Sequence, residues 1–523
     1  MESHKTVSKA AGAVGAMTLL SRVFGFMRDM VIATMFGSSA AADAFFVAFR
    51  IPNLQRRILG EGAVSAAFIP VFSEYLNTKD QDETWNLAGN LFNILLIILL
   101  AASGAIILFA PAVVSVFAPG FIDEPEKFQL TVTLTRWMSP YLICIGMAAL
   151  CMGILNTFKI FALPAAAPTL LNISMILSAL LIGTRMDKPI FGLAIGVIVG
   201  GLLQFFVQVP ATLRQGFRFK ARADWKHPGI IKIGKLLGPS ILGLAAYEIN
   251  IMVDTILASF LPGGSISYLY YANRLVQLPM GIFAVALGVA ILPTLSEHAS
   301  RNEIHKLKDT LSFGIRLILF ITVPATIGLM LLRFPIINTL WERGEFSRTA
   351  TEGTAFALLC YSIGLCGFAG TRVVASAFYS MQDTKTPAKI GIYAIVINII
   401  FSVMLMGPFK HGGLALATSI AAIFNALALI IILKNRLGKM GGRKILNSSI
   451  KLAIASAGMG IFIYLFNQAF FDPLAPIANR LTVLTGEIIS GLSVFYFISL
   501  AMKNEELIFL KDLIRRKKET KAN

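Results

Sequence analysis

The sequence predicts an all-α polytopic membrane protein with about 14 transmembrane helices. Three observations predict it. Of 523 residues, 56% are hydrophobic and 14% charged, with a mean hydropathy of +0.74; soluble domains carry about 25% charge. An uncharged run extends from Trp85 to Ile122, well beyond the roughly 20 residues that a helix needs to cross the hydrocarbon core. The apolar stretches are long and continuous, whereas a transmembrane β-barrel shows alternating segments of about 10 residues.

In chain order the spans are expected at 10–36, 41–76, 86–117, 129–156, 163–183, 189–213, 236–261, 266–297, 310–332, 352–380, 387–407, 412–433, 450–469 and 480–502. Arg22 and Arg28 interrupt the first apolar run, so it reads as a retained helix and not as the uninterrupted core of a signal peptide. The second contains Pro52, Gly60 and Gly62, residues that break or kink a helix. Freed backbone at such a break is tolerated where it lines a cavity. The third is the uncharged run. The fourth to sixth are apolar, with Cys144 and Cys151 in the fourth; the seventh and eighth carry Glu248, Asp254 and Arg274; Cys360 and Cys366 lie in the tenth. No CxxC pair exists, so the cysteines read as small hydrophobes and not as a zinc site. Several spans exceed the bilayer thickness and are expected to tilt, kink or project into water.

Lys and Arg outnumber Asp and Glu by 46 to 28, a net charge of +18. The excess concentrates in Arg214–Lys235, Lys434–Lys451 and Lys503–Lys521, while the loops Gly37–Ala40 and Pro262–Ser265 contain none. By the positive-inside rule both termini are cytoplasmic. The Arg333–Arg348 loop and the pair Arg185 and Lys188 run against this bias. The basic excess thus belongs to loops, and no nucleic-acid partner is expected. The tail Glu505–Lys518 reads either as an amphipathic helix on the membrane surface or as a solvated tail.

An internal repeat sets the domain plan. Asp29, Arg50, Pro70, Ser73 and Glu74 recur as Asp254, Arg274, Pro293, Ser296 and Glu297, offset by about 223 to 225 positions. Six spans separate the copies, so both have the same topology, with a pseudo-twofold axis along the membrane normal and a cavity between two six-helix lobes. The lobes are expected at 1–220 and 221–440, followed by spans 13 and 14 at 441–503 and a basic cytoplasmic tail at 504–523.

Charged residues inside spans carry the functional signal. A guanidinium at bilayer depth costs about 2.5 kcal/mol or more, so such groups are expected to face water or a counter-charge. Arg22 and Arg28 lie on the first helix about 120° apart; Arg28 either faces a cavity or neutralises a nearby acid. On the second, Arg50, Arg57 and Glu61 share a face and Arg56 lies off it. Arg57 and Glu61 either pair or join the site; Arg56 has no evident local partner. Arg274 repeats Arg50 in the second lobe. A cationic chamber points to an anionic passenger, and the planar arginine fork matches phosphate bidentately. Asp254, with Asn398 and Thr418 as neutral oxygens, either forms a monovalent cation site or leaves Asp254 paired with an arginine. No P-loop, HExxH or GxSxG motif is present, so an ATP-driven pump is disfavoured and no catalytic residue is expected.

These segments resemble the MurJ/MviN family of lipid II flippases, within the multidrug/oligosaccharidyl-lipid/polysaccharide exporter superfamily. The resemblance rests on Ser21-Arg22-Val-Phe-Gly-Phe-Met-Arg28-Asp29, Ala42-Asp43-Ala-Phe-Phe-Val-Ala-Phe49, Pro52-Asn53-Leu-Gln-Arg56-Arg57, Glu61-Gly62-Ala63, Tyr270-Tyr-Ala-Asn-Arg274-Leu and Phe378-Tyr-Ser-Met-Gln-Asp383-Thr-Lys-Thr-Pro387. It runs from near the N-terminus to about residue 435. It implies a transporter, not an enzyme, that moves undecaprenyl-pyrophosphate-linked disaccharide-pentapeptide, lipid II, to the outer leaflet of the bacterial inner membrane. The family's important arginines carry over to Arg22, Arg28, Arg56 and Arg274, and its first-loop acid to Asp43. Spans 13 and 14 are implied to form a groove for the lipid tail. Position 60 departs from the family, as Gly where Ala is common.

The expected mechanism is alternating access by a functional monomer in contact with membrane lipids. No cofactor is expected, and coupling to membrane potential, Na+ or H+ stays open. Rival expectations are an exporter of another polyprenyl-linked glycan or of drugs, a non-transporting envelope-assembly scaffold, and a glycan polymerase.

Overall fold

The computed structural model describes residues 2–55, 64–219 and 223–512. It is α-helical throughout, with no strand among the described residues. Lipid removes the water that would satisfy a lone backbone N–H or C=O, and a helix satisfies each within its own segment.

Each expected span falls on helix where its residues are described; 56–63 of the second lie outside the described residues. Glu2–Phe36 covers the first, and Ala40–Gln55 with Val64–Thr78 the second. Four helical segments follow, at Gln81–Leu108, Pro125–Thr157, Ala162–Arg185 and Ile190–Arg214. The seventh span lies in Pro228–Ser259. The eighth, Ser265–Ser300, passes through a π-helical turn at Met280–Ala284, after Pro279. Ile304–Leu331, Arg348–Ser380, Gly442–Phe470 and Ile477–Ala501 provide the ninth, tenth, thirteenth and fourteenth. The eleventh and twelfth are two limbs of Lys385–Leu437, which bends at Lys410, where φ is 49° and ψ −131°. Among the described residues, ten helical segments are long and apolar enough to cross a membrane by composition alone. The first, second and seventh spans fall outside that set, the second because its described helices are short.

Packing divides the chain into two compact units, Met1–Gly264 and Ser265–Asn523. Helix Pro228–Ser259 therefore packs with the first unit, although the repeat groups it with the second. In the first unit, Phe68, Phe72, Trp85 and Leu87 join Leu150 and Ile154 in one apolar core. In the second, Leu295, Leu311, Val373, Phe378 and Leu429 form another.

Spans 13 and 14 belong to the second unit. Helix Gly442–Phe470 packs on Ile304–Leu331 and on Ile477–Ala501. A Cβ on Gly491 would lie 2.9 Å from two Ile463 side-chain carbons, so this seam depends on the missing side chain. Residues 505–512 continue as helix and turn back onto Ile304–Leu331. Arg316 Nη1 donates to Glu505 Oε2 at 2.6 Å and to Glu506 Oε1 at 2.8 Å, and Phe509 meets Phe313 edge to face. The described part of the tail thus contacts helix Ile304–Leu331; residues 513–523 lie outside the described residues. Acidic side chains in the first turn also suit the positive end of a helix.

Gly367 gives a direct test of the second unit's packing. An added Cβ there would lie 2.7 Å from Ile423 N and 2.8 Å from Ala422 C, both backbone, whereas one on Gly391 meets nothing within 4 Å. Gly367→Ala is expected to destabilise by about 1–3 kcal/mol, and Gly391→Ala to be neutral or stabilising by up to about 1 kcal/mol. Thermal unfolding of the two purified variants in detergent measures the contrast.

Candidate functional site

Ser39 opens helix Ala40–Gln55, its Oγ accepting from Ala42 N at 3.3 Å. The first turn then presents Asp43, which is 1% exposed. Its Oδ2 accepts from Gly264 N at 2.8 Å and lies 3.4 Å from Lys127 Nζ on helix Pro125–Met138. Lys127 also sits 4.1 Å from the Phe121 ring centroid. A charged donor and a backbone donor make the stronger class of hydrogen bond to a carboxylate. Asp43 therefore fastens three parts of the first unit together.

On the first helix, Arg28 is 6% exposed and Asp29 fully buried. Arg28 Nε and Nη2 donate to Asp29 Oδ1 at 3.1 and 2.6 Å, and Nη1 donates to Asn172 Oδ1 at 3.0 Å. Asn172 Nδ2 donates in turn to Ser21 O at 3.1 Å. Of the two readings of Arg28, the ion pair with a nearby acid is the one formed in this structure. Gly25 faces this amide: a Cβ there would stand 3.4 Å from Asn172 Nδ2, an ordinary contact. Arg22 is exposed and has no ion pair or hydrogen bond among the described residues.

Arg50 is half-buried and reaches helix Pro228–Ser259, donating through Nη1 to Thr255 Oγ1 and, at 3.4 Å, to Ile251 O. Arg274 is half-buried in the second unit. Its Nη2 donates to Tyr270 OH at 3.1 Å, and its guanidinium carbon lies 5.5 Å from that ring's centroid, within range of a cation–π attraction. Arg56, Arg57 and Glu61 lie outside the described residues.

Asp254 is half-buried on Pro228–Ser259. Asn398 is buried and Thr418 half-buried, one on each limb of Lys385–Leu437; Thr418 Oγ1 donates to Leu414 O at 2.9 Å. Among the described residues no three His, Cys, Asp or Glu gather as a metal site.

Sequence reasoning missed the partners. Lys127 directly follows the acidic Asp123–Glu126, and nothing in the local sequence marks it as buried. Asn172, a lone amide in an apolar span, was a legible signal. Glu487 was another: it is fully buried in the last span, with Asn467 Nδ2 3.4 Å from its Oε2 and no partner for Oε1 among the described residues.

The family model described as "Lipid II flippase MurJ" matches residues 32–484. The chain belongs to the MurJ family. Among curated MurJ relatives, "Probable lipid II flippase MurJ" of Vibrio cholerae is 40% identical over 432 residues, covering 81% of this chain and 82% of its own. "Lipid II flippase MurJ" of Burkholderia cenocepacia is 35% identical, covering 82% and 84%. The solved structure "Lipid II flippase MurJ, inward closed conformation" is 29% identical, with a TM-score of 0.79 over 96% of this chain and 99% of that one. A multidrug-resistance MATE transporter in an inward-facing conformation, at 13% identity and TM-score 0.67, shares the fold. The MurJ match encloses Asp43, Arg50, Asp254, Arg274, Asn398 and Thr418; Arg22 and Arg28 precede its first residue.

The Phe378–Pro387 motif is a clasp in this MurJ family member. Asp383 Oδ1 accepts from Thr386 N at 2.9 Å and Oδ2 from Thr386 Oγ1 at 2.6 Å, while Arg436 Nη1 donates to Oδ2. The Thr386 donors, then Arg436, hold the Asp383 carboxyl well below the ordinary carboxylate range. A depressed carboxyl stabilises above its unfolded pKa, about 3.9, and loses that contribution as pH falls through its folded value. Asp383→Asn is therefore expected to lower thermal stability equally at neutral and mildly acidic pH, the difference closing only in strong acid.

The Asp43–Lys127 pair gives a second test. Asp43→Asn takes from Lys127 the buried one of its two carboxylates, Glu124 Oε1 being the other at 3.4 Å, at a cost below the about 3–5 kcal/mol of stripping a buried ion of every partner. The double variant Asp43→Asn, Lys127→Met is expected to recover most of that loss. A double-mutant cycle in thermal unfolding measures it; additive losses would contradict the pairing.

Proposed function

We propose that this chain is a lipid II flippase, carrying undecaprenyl-pyrophosphate-linked disaccharide-pentapeptide from the cytoplasmic to the outer leaflet of a bacterial inner membrane. The observation that carries the reading is the MurJ match over residues 32–484, supported by charge at span depth. Arg22, Arg28, Arg56 and Arg274 bind the pyrophosphate; Arg50, Arg57, Glu61 and Asp43 shape and hold that surrounding. The exposure of Arg22 supports its place in this set. The ion pair of Arg28 gives it a neutral resting state from which it turns to the substrate.

In this reading both termini are cytoplasmic. The repeat lobes 1–220 and 221–440 alternate access to a cationic chamber, and 441–503 guides the lipid tail. An inside-negative potential favours outward passage of negative charge by about 2.3 kcal/mol per charge per 100 mV. Asp254, Asn398 and Thr418 take Na+ or H+ to reset the cycle. The chain works as a monomer and performs no covalent chemistry.

Removing a charge-assisted contact costs about 1.5–3 kcal/mol. Arg22→Ala and Arg274→Ala are therefore expected to cut lipid II exposure on the outer face of cells by about tenfold or more. Arg274→Lys, which keeps the charge and loses the fork, falls between. Normal exposure in correctly inserted variants would overturn the role of these arginines. Binding compared between lipid II and another polyprenyl-linked glycan tests the headgroup.

A further inference from the structure

The Arg333–Arg348 segment opposes the charge bias of the chain, and two cations there gather where counter-charge is missing. Helix Arg333–Leu340 ends with carbonyls that it cannot satisfy itself. Arg343 Nη2 donates to Leu340 O. Arg480, from the first turn of Ile477–Ala501, donates through Nη1 to Asn338 O and to Asn338 Oδ1, both at 2.9 Å. Asn338 is fully buried, and its Nδ2 lies 3.5 Å from Pro473 O. Two guanidiniums thus meet at one helix end.

Among the described residues, no carboxylate comes within 4.0 Å of either one. The adjacent Glu342 pairs instead with Arg348, at 3.8 Å, and Arg348 also meets Glu352 at 3.4 Å. Arg480 Nε is buried with no acceptor. Burial and then the positive charge of Arg480 hold Arg343 below the usual guanidinium range. Both side chains are half-buried and so reachable from the surface.

Capping a helix C-terminus accounts for one nitrogen on each arginine. It leaves the other N–H groups idle and sets two like charges together. A phosphate would accept from both forks and cancel their repulsion. We propose that Arg343 and Arg480 form a binding site for the phosphate or pyrophosphate of a lipid headgroup at the outer membrane surface, separate from the intramembrane arginines. The assignment to the outer side rests on the flippase reading and its topology. There the site receives the headgroup as it leaves the transport path.

The test uses the full chain in nanodiscs of zwitterionic lipid, carrying Arg22→Gln and Arg274→Gln to quiet intramembrane binding. Inorganic pyrophosphate is the probe, followed by calorimetry. That background is expected to bind pyrophosphate, and adding Arg343→Gln with Arg480→Gln to weaken binding by about tenfold or more. Unchanged binding overturns the site. Because Arg480→Gln also removes a cap, Arg480→Lys is measured beside it: preserved thermal stability with weakened binding supports the site, and wild-type binding counts against it. Two further arms replace the probe with undecaprenyl pyrophosphate and with phosphatidylglycerol nanodiscs. Loss confined to the first names the transported lipid as ligand, and loss confined to the second names a phospholipid. Lipid II exposure by the unsubstituted chain is scored separately. Absent transport with intact pyrophosphate binding sinks the flippase reading and leaves the site standing; the reverse sinks the site alone.

Discussion

A charge inside hydrocarbon must find a partner or water, and the chain's polar architecture follows from that constraint. The cost of leaving a guanidinium or carboxylate bare at bilayer depth, a few kcal/mol at least, rivals a large part of a domain's net stability of about 5–15 kcal/mol. The structure meets it in three ways. Arg28 closes on Asp29 and Asn172. Asp43 closes on Lys127 and the Gly264 amide. Arg50 spends donors on Thr255 and a helix carbonyl. Arg22 instead stays exposed.

The closed groups do structural work. Each spans different helices: Arg28 joins the first helix to Ala162–Leu181, Asp43 joins Ala40–Gln55 to Pro125–Met138, and Arg316 ties the chain's last described helix to Ile304–Leu331. Apolar packing in a membrane specifies helix pairing weakly, because lipid is as apolar as leucine. Ion pairs and small-residue seams such as Gly491 against Ile463 supply the missing specificity. A transporter that must rearrange gains from such pairs, since an arginine held by one carboxylate can exchange it for a phosphate of like charge at modest cost.

Helix positions were legible because hydropathy and length dictate them directly, as the uncharged run after Trp85 shows. Side-chain partners were far less legible. Arg28 beside Asp29 left two outcomes open, and its second partner, Asn172, stands 144 residues away in sequence. Lys127 looked like a loop cation and is a buried counter-ion. Glu505 and Glu506, near the start of the tail, both pair with Arg316, about 190 residues earlier in the chain. Contacts of this kind depend on long-range register, to which local composition is blind.

The central claim is that Arg22 and Arg274 stand in water at membrane depth. Single cysteines at positions 22 and 274, in a chain whose Cys144, Cys151, Cys360 and Cys366 are replaced, test it most directly with a membrane-impermeant thiol reagent on intact vesicles. Labelling of both positions without detergent is the predicted result. Cysteines that react only after the bilayer is dissolved would contradict it.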